Sequence, residues 1–511
     1  MNNTGTFAMV MQASGTPDAH ATADAMRHPN RHPRGLYTLF FTEMWERASY
    51  YGMRALLVLF LASPVAAGGM GLDDKTAAAI YGIYTAAVYL FALPGGWVAD
   101  RLLGMKKAVF YGGCIIAAGH FTLALPWTLS FYIGLVFIVL GTGLLKPCIS
   151  GLVGELYADD TGTRRDAAFS IYYMGINLGA ILGPLVCGWL GENINWHYGF
   201  AAAGIGMTIG LIQFTLSSRK HLSQVGGVAC PTTACRKYWY IVISCMIPAT
   251  VLIATVAAGY LPIDPFAIAA HGSIFIALLA AMYFSYVYMY GGISQIEKNR
   301  MKAFGVLFFA SALFWAGFEQ AGSSFNLFAL RYTDRIALGY EIPASWLQSV
   351  NALFIIVLAP LFAAMWVRLG MRNLDPSSPT KFAIGIVLLG IGFGIMALAA
   401  TFVLEHGSVL PTWLVLTYLF HTMGELCISP IGLSLVTKLA PRNYASQMMG
   451  LWFVSFSIGN LLAGVLAGHV GGSNIEQMPS AFGQLFWLCL TSAVILFISR
   501  KPLQRWMQGV H

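Results

Sequence analysis

Charge is scarce in this chain. Asp, Glu, Lys and Arg make up only 10% of the 511 residues, against about 25% in an ordinary soluble domain. A surface wetted on all sides cannot be built from so few charges, which sets aside an aqueous enzyme and a nucleic-acid binder. Cysteine usage excludes a secreted disulfide scaffold. Of eight cysteines, Cys114, Cys148, Cys187, Cys245, Cys427 and Cys489 lie inside apolar runs, where a thiol acts as a small hydrophobe. Cys230 and Cys235 share a basic loop with only His221 beside them, too few ligands for a four-coordinate zinc site. No metal and no cofactor is expected. Residues 1–34 lack the apolar stretch of a cleavable signal peptide. Neither G-x-S-x-G nor H-E-x-x-H spacing occurs, so a membrane-embedded hydrolase or zinc protease has no motif to stand on.

Apolar side chains, by contrast, make up 57% of the chain, and mean hydropathy is +0.68. They recur in runs of about 20 residues, the length that spans a bilayer as a helix. The sequence therefore predicts an all-α polytopic membrane protein. Its expected spans are 36–62, 75–102, 106–126, 130–156, 166–191, 197–217, 238–260, 265–290, 302–332, 345–368, 380–403, 411–438, 443–469 and 481–499. That is fourteen helices. The net charge of +8 reflects topology, because the basic residues gather at alternate loops. Arg101, Lys106 and Lys107, then Arg164 and Arg165, Arg219 and Lys220, Lys298 to Lys302, and Arg500 to Arg505 mark one side. By the positive-inside rule both termini are cytoplasmic. Nucleic acid is not a partner; the lipid bilayer is.

The chain also carries an internal echo. P-G-G-W-V-A-D-R-L-L-G-M-K from Pro94 matches P-L-F-A-A-M-W-V-R-L-G-M-R from Pro360, with Pro, Gly and Met each 266 residues apart. L-F-F at 39–41 and 307–309 lies 268 apart. The organisation is therefore read as a disordered cytoplasmic tail (1–34), a six-helix bundle (35–220) and a linker with two inserted helices (221–300). A second six-helix bundle (301–500) and a cytoplasmic tail (501–511) follow. Such repeats typify transporters with a midplane site between the halves.

Ionisable groups inside a bilayer cost roughly 2.5–3.5 kcal/mol each on insertion scales, and so mark function. The first helix holds Glu43, Glu46, Arg47, Tyr50, Tyr51 and Arg54, which fall within an arc of about 140° at 100° per residue. Lys146 lies mid-helix before Pro147, and Glu319 and Glu425 lie in the second half, with amides at Asn177 and Asn351 and a phenol at Tyr89. A cavity between halves would be positive on one wall and negative on the other. That polarity suits a zwitterion with separated ends. His421 stands one turn before Glu425 as a candidate modulator.

These residues carry a resemblance. E-M-W-E-R-A-S-Y-Y-G at 43–52 resembles the E-x-x-E-R-F-x-Y-Y-G motif of the proton-coupled oligopeptide transporters, a branch of the major facilitator superfamily. Y-Y-M-G-I-N-L-G at 172–179 resembles the family's fifth-helix signature, and G-E-L-C-I-S-P-I-G-L-S at 424–434 its tenth-helix motif. The segment from Gly96 to Lys107, with Asp100 and Arg101, resembles the superfamily's loop motif, read as gate and hinge. Ala48 and Tyr172 depart from the pattern, both where the family has phenylalanine.

The resemblance implies the major facilitator fold in its bacterial form, in the inner membrane, importing di- and tripeptides with protons as coupling ion. Peptide-like drugs are possible cargo, and the protein is expected to be a monomer. A related solute (nitrate, a drug or a peptide-like metabolite) and a transport-dead sensor are the alternatives. It further implies proton coupling at Glu43, Glu46, Arg47, Arg54, Lys146 and Glu319, with Arg54 and Lys146 as alternating partners of Glu319. Arg47, Lys146 and Tyr50 would take the peptide carboxylate, and Glu425 with Asn177 and Asn351 its ammonium. Tyr51 and Tyr89 would bond the backbone, and Trp315 and Trp452 line side-chain pockets. Glu319 and Ser429 complete the implied substrate-binding set.

Overall fold

The computed structural model describes residues 32–158, 163–223, 225–227, 236–244, 264–337, 339–441, 444–470 and 475–509, with single residues 248, 255 and 260. The first half comprises α1 (Arg34–Ala62), α2 (Asp74–Leu103), α3 (Met105–Leu123), α4 (Thr128–Leu156), α5 (Thr163–Asn193) and α6 (Trp196–His221). An inserted helix, α7 (Pro265–Tyr290), precedes the second half. There follow α8 (Gln295–Phe318), α9 (Ser324–Tyr332), α10 (Ser349–Met371), α11 (Ser378–His406), α12 (Thr412–Leu439), α13 (Ala445–Val470), α14 (Met478–Ile498) and α15 (Arg500–Met507). Among the described residues, eleven spans are long and apolar enough to cross a membrane. The chain is a multi-pass, all-α membrane protein. A two-residue ladder, Ile336–Ala337 against Tyr340–Glu341, adjoins its second half.

Starts and breaks follow local chemistry. Asp73 accepts from Thr76 N at 3.0 Å to cap α2, and Ser294 with Glu297 forms a capping box for α8. Pro265 occupies the first turn of α7 behind an Asp264 cap. Gly104, at φ 78°, ends the π-helical turn Ala99–Leu103, a backbone conformation that favours glycine.

The two halves repeat one packing scheme. In each, the third helix packs on the fourth and sixth, and the first on the fifth: α3 on α4 and α6, α1 on α5; α11 on α12 and α14, α8 on α13. Two seams join the halves, α2 against α13 and α5 against α10. The inserted α7 packs on both α2 and α13, lying along the first seam. Along the α1–α5 contact, glycines permit backbone-to-backbone approach. A Cβ at Gly179 would meet Met44 O at 2.4 Å, and one at Gly183 would meet Ala48 O at 2.2 Å.

One expectation needs correction. The span 302–332 is not one helix: it breaks through a 3-10 turn, Glu319–Gly322, into α8 and α9. The polar groups at the break are re-satisfied locally. Gln320 Nε2 donates to Ala463 O at 3.0 Å, and Ser324 Oγ to Gln320 Oε1 at 2.5 Å. Irregular backbone at membrane depth is tolerated where protein or a cavity surrounds it. Within the segment 501–511, read as a cytoplasmic tail, Arg500–Met507 forms α15, which buries Leu503 and Met507 and packs on α8. His32, assigned to the amino-terminal tail, bonds the Tyr157 hydroxyl at 2.7 Å. Residues 1–31, Cys230, Cys235 and most of 238–260 lie outside the described residues; 236–244 is helical.

Substituting Gly183 by Leu should lower the melting temperature in detergent by several degrees, since overpacking costs about 1–3 kcal/mol. Gly305→Leu, where a Cβ meets nothing within 4 Å, should leave it unchanged. Equal melting of the two variants would remove the α1–α5 glycine contact from the fold's requirements.

Candidate functional site

The α8–α9 break places Glu319 at the midpoint of the protein, facing α1 of the other half. There Arg54 Nη2 forms an ion pair and hydrogen bond with Glu319 Oε2. Arg54 Nε also donates to the Tyr81 hydroxyl at 2.5 Å. Gly322 makes room for that tyrosine: a Cβ there would come within 1.9 Å of its hydroxyl. Both charged side chains are nearly sealed from solvent, at 10% and 3% exposure.

Beside this pair lies a cavity of about 990 Å³, counting the part open to solvent. The first half contributes Tyr51, Arg54, Tyr89, Tyr173, Asn177 and Pro184, and the second Trp315, Phe318, Glu319, Gln348, Asn351, Tyr418, His421 and Glu425. Polar groups stand among aromatic and apolar side chains on its walls, as small-ligand sites require. Trp315 stacks on Phe456 with centroids 4.4 Å apart, and Phe456 meets Tyr89 at 5.4 Å. Asn351 Nδ2 donates to Thr422 Oγ1 at 2.9 Å and to Glu425 Oε2 at 3.3 Å. Asn177 Nδ2 donates to Tyr173 O at 3.0 Å. Among the described residues no cation lies within ion-pair distance of Glu425.

A second charged cluster lies deeper in the first half. Arg47 Nε is 2.8 Å from Glu43 Oε1 and 2.7 Å from Glu46 Oε2. One oxygen of Glu43, both of Glu46 and one Arg47 nitrogen lack a hydrogen-bond partner among the described residues. Lys146 Nζ sits 3.7 Å from the Tyr89 ring centroid, and among the described residues it makes no ion pair with a carboxylate. With both carboxylates ionised, Glu43, Glu46, Arg47 and Lys146 sum to zero charge. Arg54, Glu319 and Glu425 sum to −1.

The structure thus brings Tyr51, Arg54, Tyr89, Asn177, Trp315, Glu319, Asn351 and Glu425 to one cavity, and leaves five expected contacts off its lining. Arg47 is drawn back by Glu43 and Glu46. Tyr50 stacks on Tyr84 at 6.4 Å. Lys146 lies on the ring of Tyr89, which itself lines the cavity. Ser429 Oγ is buried with no hydrogen-bond partner among the described residues. Trp452 packs with Phe304 and Phe382, at 5.8 and 6.4 Å, and fills the space above Gly432, so it is a core residue here. Of the loop motif, Arg101 lies 6.0 Å from the Tyr238 ring, while Asp100 is exposed. Sequence reasoning missed Tyr173, Phe318, Gln348 and Tyr418, aromatic or amide residues without a charge to single them out. Tyr173 stood inside the quoted fifth-helix motif, which was the available signal.

The two tryptophans should separate by function. Trp315→Ala should weaken ligand competition about tenfold or more and also lower the melting temperature, because the ring is buried and stacks on Phe456. Trp452→Ala should lower the melting temperature through loss of roughly 3–5 kcal/mol of packing and leave competition close to wild type. Competition binding and thermal melting in detergent read the two effects, and interchanged effects on competition would overturn the placement.

The chain matches the family model described as "POT family" over residues 106–488. It is 44% identical over 490 residues to peptide transporter YePEPT of Yersinia enterocolitica, covering 94% of this chain and 96% of that one. It is 36% identical over 499 residues to a di-/tripeptide transporter of Lactococcus lactis subsp. cremoris, covering 94% and 97%. Among solved structures, peptide transporter POT in complex with sulfate superposes with a TM-score of 0.86 at 40% identity, covering 94% and 96%. A match of this extent in sequence and in fold leaves one assignment: the chain belongs to the POT family, within the major facilitator fold.

Proposed function

We propose that the protein is a proton-coupled symporter that imports di- and tripeptides by alternating access. The carrying observation is the charge state of the cavity. A buried Arg54–Glu319 pair bridges the halves, and Glu425 stands nearby as an unmatched carboxylate on the same lining. A peptide's ammonium balances Glu425, assisted by Asn351 and Asn177. The names of the two relatives, a peptide transporter and a di-/tripeptide transporter, support peptides as cargo.

Arg47 and Lys146 with Tyr50 would take the peptide's carboxylate. In this conformation they stand behind Tyr50 and Tyr89, so that contact requires the aromatic layer to move. Glu43, Glu46 and Glu319 carry or gate the proton. Neutralising Glu319 removes the partner of Arg54 and with it one of the ties between the halves. One charge crossing 100 mV supplies roughly 2.3 kcal/mol, enough for accumulation more than tenfold per proton. The cytoplasmic end is taken to carry the basic loops and both termini, the protein to reside in a bacterial inner membrane, and the transporting unit to be a monomer. The unit boundaries are those of the two six-helix repeats, 35–220 and 301–500, and Asp100 and Arg101 act at the cytoplasmic gate.

Two outcomes check this reading in proteoliposomes. Dipeptide uptake should need an inward proton gradient and collapse with a protonophore, and Glu46→Gln should abolish gradient-driven uptake while retaining counterflow. Concentrative uptake at zero proton-motive force would end the symport reading. Capping the substrate amine by acetylation should weaken competition more than about tenfold in wild type, since a charge-assisted contact is worth roughly 1.5–3 kcal/mol. In Glu425→Gln the cap should cost far less. If acetylation costs the same in both, Glu425 is not the ammonium partner.

A further inference from the structure

Hydrogen bonds and ion pairs between the halves gather from the midplane to one end of the protein, that of loops 63–73 and 333–343. Arg331 holds Asp74 through two bonds of 2.6 and 2.7 Å. Asn326 Nδ2 donates to Ala55 O at 2.7 Å. On the α5–α10 seam the arrangement is different in kind. There one carboxylate, Glu192 at the end of α5, receives three donors from the other half. Ala344 N reaches Oε2 at 2.7 Å, Ser345 N reaches Oε1 at 3.0 Å, and Ser345 Oγ reaches Oε1 at 2.5 Å.

The two N–H groups open the 3-10 turn Ala344–Gln348, which runs directly into α10 and makes one 28-residue span. The first N–H groups of a helix have no partner within it, and a carboxylate is favoured there. Normally the capping side chain precedes the helix in its own chain segment. Here it comes from a helix of the opposite half. The Glu192 side chain is 7% exposed, so its negative charge is held by these donors. Arg335 adds a cation at 4.0 Å, itself engaged by Glu341 at 2.6 Å and by Ile342 O at 2.6 Å. The sequence makes room for the contact: a Cβ at Gly188, one turn before Glu192, would come within 2.1 Å of Ser345 Oγ. Trp346 Nε1 and Ser349 Oγ extend the seam onto the carbonyls of Leu185 and Ile181, at 3.0 and 3.2 Å.

We propose that Glu192 is a positioning residue for the transport cycle, a latch that shuts this end of the α5–α10 seam by capping α10 from the other half. The inference rests on the alternating-access reading, and on no assumption about cargo. When the halves part at this end, all three bonds break together. A buried carboxylate and two helix N–H groups then enter water in one step, so the latch is either fully made or absent. It sets how much of the population is shut at this end, and it touches neither the cavity nor the Arg54–Glu319 pair.

The test is spin-label distance measurement on the full chain in nanodiscs, with Cys114, Cys230, Cys235 and Cys245 replaced by serine and the buried cysteines left in place. One label pair at Val65 and Glu405, both exposed, reads this end. A second pair at Lys220 and Met371 reads the opposite end. Glu192→Gln should shift the shut-to-open ratio at the first pair by about tenfold toward open, with a reciprocal shortening at the second pair. Ser345→Ala, which removes one of the three bonds, should shift both in the same directions by less. Gly188→Ala, which displaces Ser345 without altering the carboxylate, should act in the same sense. A merely structural role would broaden both distributions with no reciprocal change, and that result overturns the proposal. So would distributions for Glu192→Gln and Ser345→Ala that superimpose on wild type. Because the readout needs no substrate, failure here leaves peptide symport intact, while failed dipeptide uptake leaves the latch result standing.

Discussion

The ion pair between Arg54 and Glu319 is the constraint around which the rest of the protein is arranged. Burying two opposite charges gains little net stability, yet removing one partner from such a pair typically costs about 3–5 kcal/mol. The pair is therefore a poor glue and a sensitive switch. Each partner comes from a different half, so its making and breaking cannot be separated from the distance between the halves. The α8–α9 break follows from the same need. At the break the 3-10 turn sets Gly322 against the Tyr81 hydroxyl that also binds Arg54.

Around that pair the remaining charges divide by depth. The Glu43–Arg47–Glu46 cluster lies inside the first half, its guanidinium shared between two carboxylates and its surplus oxygens unbonded. Lys146 supplies the balancing charge from α4, held against an aromatic face in place of a carboxylate. A group of this kind tolerates the gain or loss of one proton without leaving a lone charge far from every counter-charge. The cavity has no such reserve. Among the described residues Glu425 receives only an amide from Asn351, and no cation faces it. Its charge is therefore the feature of the site that depends most on what occupies the cavity.

Much of this was legible in the sequence because membranes simplify the code. Span length, loop charge and the cost of an intramembrane ion each leave a strong mark, so α1 to α6 and α10 to α14 lie within a few residues of the apolar runs. The charged residues of the cavity announced themselves by being out of place. What stayed hidden was side-chain direction. Arg47 and Arg54 share a helix face, seven residues apart, yet local carboxylates draw one back and a partner in the opposite half draws the other forward. Trp452 and Trp315 look alike in sequence and both are buried; only the position of the cavity, which Trp315 lines and Trp452 does not, distinguishes them. The break at Glu319 left no proline to reveal it, and Gly322 alone does not separate a kink from a close contact. Arg500–Met507 was too short and too basic to register as anything but tail, though two of its apolar residues are buried against the bundle.

The seams between the halves are related by the internal repeat but are not equivalent in construction. Along α2 and α13 the backbones touch, with a Cβ at Gly82 falling 2.8 Å from Asn460 O and one at Gly464 falling 2.8 Å from Ala78 O. The inserted α7 lies over this contact, burying Ala269 beside Ala79, Ala86 and Leu461. Phe266 at its start receives Lys75 from α2 on its ring, 3.8 Å from the centroid, and meets His469 of α13 at 5.8 Å. Parting α2 from α13 would separate close-packed backbone and would also strip a helix that is bonded to both. Parting α5 from α10 breaks the row of hydrogen bonds near Glu192. Dispersion contacts fall off within a fraction of an ångström, whereas hydrogen-bonding groups exposed by opening are taken up by water. The first seam therefore resists separation along its length, and the second is the one whose opening water can compensate. Placing the extra helix on the first adds to a difference that the glycines had already created.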